Sequence, residues 1–131
     1  MSTGRSNGVT HDGRTSLLAS LGLAVGGMFG LAGTFAPSAS LRGLAWGIDG
    51  LALVMAAALL TFRFYRSQHD VVAAGFLVFA IGEAVVLSGA AMDLAASAPS
   101  FGAGAGMWAL ALALISVPRV FPLLVRLLGL L

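Results

Sequence analysis

The sequence predicts an all-α fold, an integral membrane bundle of four transmembrane helices with a short interfacial C-terminal segment. Three observations carry that prediction. Hydrophobic residues make up 59% of the 131-residue chain and charged residues only 9%, against roughly 25% charged in an ordinary soluble domain. The apolar residues gather into four runs long enough, at ~1.5 Å per residue, to cross a ~30 Å hydrocarbon core. Polar or Pro- and Ser-bearing stretches bound those runs and end the helices. One domain is expected, since four crossings leave no room for a second.

Residues 1–15, MSTGRSNGVTHDGRT, are polar and without periodicity and are read as a mobile cytoplasmic tail. Helix 1 is expected over residues 16–36, ending at Pro37 and the Ser-rich stretch behind it. Its apolar run of about 20 residues exceeds the 7–15 of a signal-peptide core, so a retained helix is the expectation. Gly22, Gly26 and Gly30 recur every four residues. A face without side chains lets a second backbone come near, which is how helices associate in lipid. The partner of that face is either another helix of this chain or another copy.

Helix 2 is expected over residues 42–65 after a Ser40 cap. Trp46 and Tyr65 would lie about 28 Å apart along it, as a pair of aromatic interface anchors does. Asp49 then falls in an early turn, where unpaired N–H groups favour an anion. Its alternative role is as part of an internal polar site. Helix 3, residues 71–95, starts behind an Asp70 cap and carries Glu83 in the middle of VVAAGFLVFAIGEAVVLSGAAM. Helix 4, residues 101–117, is expected to start behind Ser100 and to stop at Pro118. The last stretch, residues 118–131, is too short to cross and is read either as an interfacial segment or as the start of a fifth crossing. Arg119 and Arg126, seven apart, are expected on one face of an amphipathic segment in the headgroup zone, reaching water.

Net charge is +2 and all seven basic residues are Arg. With four crossings, Arg5, Arg14, Arg63, Arg66, Arg119 and Arg126 fall on one side and Arg42 alone on the other. Positive flanks stay in the cytoplasm, so both termini are expected there. Usage of Ala, Gly, Leu and Arg without Lys suits a bacterial chain, and hence the cell (inner) membrane. The Arg residues form no basic tract for nucleic acid. Absence of Cys excludes disulfides, thiolate metal sites and a thiol nucleophile.

Glu83 is the leading candidate site residue. An ionised side chain in the bilayer costs from ~2.5 to more than ~10 kcal/mol, so it needs a partner, a proton or a water-filled pocket. Trp108 is expected at a similar depth on helix 4, where its indole N–H could donate to the Glu83 carboxyl. Asp49, Glu83 and Trp108 thus form a candidate proton or cation site. A static polar clasp between helices is the competing explanation. The pairs His11–Asp12 and His69–Asp70 suit tail solubility and capping better than metal binding. The GAGAG run at 102–106 lacks the G-x-G-x-x-G spacing of a nucleotide cradle.

No Ser, His and acid stand in a hydrolytic arrangement, and no cofactor motif is present. The leading expectation is a non-enzymatic scaffold or subunit whose Gly-rich faces dock on copies of itself or on a larger membrane complex. The alternative is a small proton- or cation-coupled transporter, or channel-like oligomer, working through Glu83. The bilayer is the expected partner; no cofactor and no nucleic acid is expected.

Overall fold

The computed structural model describes the backbone of residues 6–131 and the side chains from Gly13 onward, Leu94 excepted. Its elements are α1 (Ser6–Thr34), α2 (Ala39–Arg66), α3 (Asp70–Ser88), α4 (Leu94–Ser116) and α5 (Leu123–Leu130). The first four are long and apolar enough to cross a membrane, α1 through its Gly13–Thr34 portion. The chain is a multi-pass membrane protein with four spans, and lipid contacts their outer faces. Met28, Leu51, Leu77 and Leu110, one from each long helix, accordingly point outward.

Local chemistry moves several helix ends from where the sequence alone placed them. Helix α1 starts ten residues before the expected Ser16, within the stretch read as a tail. The side chains of His11 and Asp12 lie outside the described residues. Ser38, not Ser40, caps α2, because its extended backbone lets Oγ accept from the Leu41 N–H at 3.3 Å. The α2–α3 link is a Schellman turn: the His69 N–H donates to the Phe64 carbonyl and the Gln68 N–H to that of Tyr65. Gln68 takes the left-handed position that closes it, at φ 60°. Asp70 is consequently the first residue inside α3 rather than its cap.

At the other end of α3 the helix stops at Ser88, seven residues earlier than expected. The Ser88 hydroxyl donates to the Val85 carbonyl, and Asp93 has become the cap of α4, its Oδ1 accepting from the Ala96 N–H at 2.9 Å. Ser100 does not cap, because its hydroxyl donates to the Ser97 carbonyl inside the helix. Pro99 therefore sits within α4, at its sixth residue, where it leaves the Ala95 carbonyl without the N–H donor that a non-proline residue would supply.

Each helix packs on its neighbours in the chain: α1 on α2, α2 on α3, α3 on α4 and α4 on α5. Among the described residues, no other pair of helices comes into backbone contact. Glycine makes these approaches close. A Cβ at Gly22 would lie 2.9 Å from the Ala56 Cβ and 3.2 Å from the Ala52 carbonyl oxygen. Gly26 and Gly30 lie against Leu53 and Asp49, and Gly33 against Trp46. The partner of the α1 glycine face is thus α2 of the same chain. Gly75, Gly82 and Gly104 serve the α3–α4 contact in the same way.

A small apolar core at one end joins Ala19, Leu60, Phe64, Val72 and Ala73, with Phe76, Val120 and Phe121 around it. The Phe64 ring stacks on Phe76 at 5.5 Å and meets Phe121 edge-on at 5.6 Å, which brings the α4–α5 link beneath the α2–α3 turn. Arg119 belongs to that link rather than to α5, so it shares no helical face with Arg126. The Arg126 guanidinium does not reach only water as expected. Its Nε donates to the Ser116 carbonyl at 2.7 Å and its Nη2 to that of Val117 at 3.0 Å, placing a cation on the negative end of α4.

Substituting Gly22→Leu forces a side chain onto a methyl and a carbonyl that cannot swing away, an overpacking cost of about 1–3 kcal/mol. Gly27→Leu, at a position with open space around it, is the matched control. Thermal unfolding of the two purified variants in mild detergent should show a lowered midpoint for the first and an unchanged one for the second.

Candidate functional site

Glu83 stands on α3 and is 4% exposed. The structure brings Asp49, Glu83 and Trp108 together: all three line a cavity of about 570 Å³, and all three line a second of about 290 Å³. The larger reaches the turn between α3 and α4 through Gly89, Ala90 and Met92. The smaller runs from the same three residues toward Leu53, Phe79 and Leu112. Both lie in the gap between α2 and α4, across which those helices make no backbone contact, with α3 as the floor.

The depth match between Glu83 and Trp108 comes from packing, not from the helix boundaries used to expect it. Trp108 is 14 residues into α4 rather than seven, and Glu83 only five residues from the end of α3. The two still meet because α4 overruns α3: Gly89 lies against Ser97 and Ser100, while Gly82 lies against Met107 and Trp108. Gly82 immediately precedes Glu83, so the helices are closest where the carboxyl is held. A Cβ at Gly82 would lie 3.1 Å from both the Gly104 carbonyl oxygen and the Trp108 Cδ1.

Two buried polar atoms in this place, Glu83 Oε2 and Trp108 Nε1, make no hydrogen bond of good geometry, although the indole lies close enough to the carboxyl for its N–H to interact with it. An acceptor and a donor of this kind usually find partners, because leaving one unmade costs about 1–3 kcal/mol. Asp49 sits half-buried one helix away, its carboxylate seated on the glycine face of α1. A Cβ at Gly30 would lie 2.7 Å from Asp49 Oδ2. The small residues of α1 thus make room for an acid on α2, besides letting backbones approach.

Aromatic side chains complete the walls. Phe79 and Phe101 contact the Trp108 indole at 6.2 Å and 6.3 Å, the first stacked and the second edge-on. Trp46, read from sequence as an interface anchor, also lines the larger cavity, and the Arg42 guanidinium lies 5.9 Å from its ring centroid. Phe79, Phe101 and Trp46 were missed as site residues. The signal was spacing: Phe79 is four before Glu83, Phe101 seven before Trp108 and Trp46 three before Asp49, each on one helical face with its polar neighbour.

No Arg lines either cavity. Among the described residues, no three His, Asp or Glu side chains gather as a metal site would require. His69 lies at the Schellman turn, edge-on to Phe64 at 6.2 Å. Chemically, the arrangement offers two carboxyl groups and one indole donor inside an apolar, aromatic gap. No protein-family model, curated protein or solved structure matches the chain.

Proposed function

We propose that the protein is a non-enzymatic membrane carrier or channel-like unit that exchanges a proton for a cation at Glu83. The observation that carries this reading is that Glu83, a carboxyl residue only 4% exposed, lines two cavities into which no Arg reaches. A clasp through the nearby Trp108 N–H would be worth only about 0.6–2 kcal/mol in a membrane. A carboxyl that takes up a proton or releases it to an arriving cation uses the cavity; a clasp does not. Asp49 lines the same space and adds to its attraction for positive charge.

The docking expectation is weakened by the same geometry. Gly22, Gly26 and Gly30 are occupied by α2, so they are not free to seat a second copy or a larger complex.

In this reading both termini are cytoplasmic, the protein resides in the bacterial inner membrane, and the larger cavity approaches the outer face, on the side of the α3–α4 turn. The arginine distribution supports that orientation. A C-terminal reporter that is active only in the cytoplasm should give signal; activity of one that works only outside would reverse the topology.

Dicyclohexylcarbodiimide attacks protonated carboxyls in apolar surroundings, and peptide mapping after treatment should find Glu83 modified ahead of the exposed Asp70 and Asp93. In proteoliposomes, Glu83→Gln should assemble like the parent and lose cation-driven proton movement. Retained proton movement in that variant would return Glu83 to a structural role.

A further inference from the structure

We infer that the cavity takes an organic ammonium ion carried on an apolar body, a ligand class that rests on the Glu83 exchange reading. Apart from Asp49, Glu83, Ser97 and the two indole N–H groups, every side chain lining the larger cavity is apolar. Glu83 is 4% exposed, and among the side chains near it only the Trp108 indole N–H interacts with its carboxyl as a hydrogen-bond donor. An anion would meet two carboxyl groups and no lining cation. Metal cations such as calcium or magnesium need some six to eight oxygens, or retain several waters, and two carboxyl side chains in an apolar gap supply too few. A volume of about 570 Å³ falls within the ~300–1,000 Å³ typical of sites for small organic ligands.

The walls divide the work. Arg42, one turn before Trp46, already lies over that ring, so a second cation is disfavoured there and Trp46 offers apolar surface. Trp108, with Phe79 stacked on one side of its ring and Phe101 edge-on beside it, is the lining indole over which no Arg lies, and its remaining surface is the one offered to a ligand cation. The ammonium centre then sits between the Glu83 carboxylate and the Trp108 ring. Its apolar body runs toward Leu87, Met92 and Phe101. Binding displaces the Glu83 proton, which leaves as the cation arrives, so the site exchanges one positive charge for another. The charged groups around that exchange are Glu83 on α3 and, on α2, Asp49 with Arg42 at the rim; α4 contributes no titratable lining group.

Full-length protein in detergent is the material, with benzyltrimethylammonium as the probe and neopentylbenzene as its neutral carbon isostere. The chain's two Trp residues both line the cavity, so their fluorescence reads occupancy directly. The ammonium probe should change that emission saturably and slow carbodiimide modification of Glu83, while neopentylbenzene and sodium should do neither. Glu83→Gln should weaken the probe about tenfold or more, the loss expected for a charge-assisted contact. Modification of Glu83 that sodium slows, that the neutral isostere slows equally, or that no probe slows overturns the ligand class but leaves the exchange reading standing. Equal protection by the isostere would assign the gap to an acyl chain or a helix of another copy. No modification of Glu83 at all overturns both readings.

Discussion

Helices in lipid gain nothing from hiding apolar surface from one another, so what holds this fold is how closely their backbones can come. Three seams meet that constraint. On the first, Gly22, Gly26, Gly30 and Gly33 of α1 lie against Ala56, Leu53, Asp49 and Trp46 of α2. On the second, Gly75, Gly82 and Gly104 bring α3 and α4 together. On the third, Gly50 of α2 receives Leu87 of α3, and a Cβ at Gly50 would lie 2.6 Å from that side chain. Large side chains such as Met28 and Leu51 are left on the outside, where lipid accepts them at no loss.

The polar site follows from the same seams. Gly82 sets α4 against α3 one residue from Glu83, and the glycine face of α1 leaves space beneath Asp49. Because α2 and α4 approach α3 from two sides without touching each other, a gap is left over the residue least suited to lipid. Aromatic rings from α2, α3 and α4 fill its edges. The acid is therefore sheltered from hydrocarbon without a fixed cation beside the gap that its residue lines.

Much of this was legible in the sequence, because length and apolarity alone define a span. The four spans could be read from run lengths; Glu83 and Trp108 were expected together from depths reckoned on boundaries that the structure moves, and it is packing that brings them to one place. Boundaries could not, for local reasons. Ser38, Ser40 and Ser100 are equally good caps on paper, and backbone geometry chose Ser38 and Asp93. A left-handed Gln68 has no sequence signature, since glycine or asparagine is the usual occupant. Arg126 bonding to α4 carbonyls depends on how the α4–α5 link folds back. The aromatic walls were hidden because Trp46, Phe79 and Phe101 look like ordinary anchors and core residues until three helices are placed around one gap.

The sequential order of contacts, α1 on α2, α2 on α3 and α3 on α4, makes the molecule two hairpins joined along a single line. Each hairpin is closed by its own glycine seam, while along the α2–α3 line Leu87 rests in the notch at Gly50. Leu87 also lines the larger cavity, so the side chain that joins the two hairpins is at the same time a wall of the gap beside Glu83.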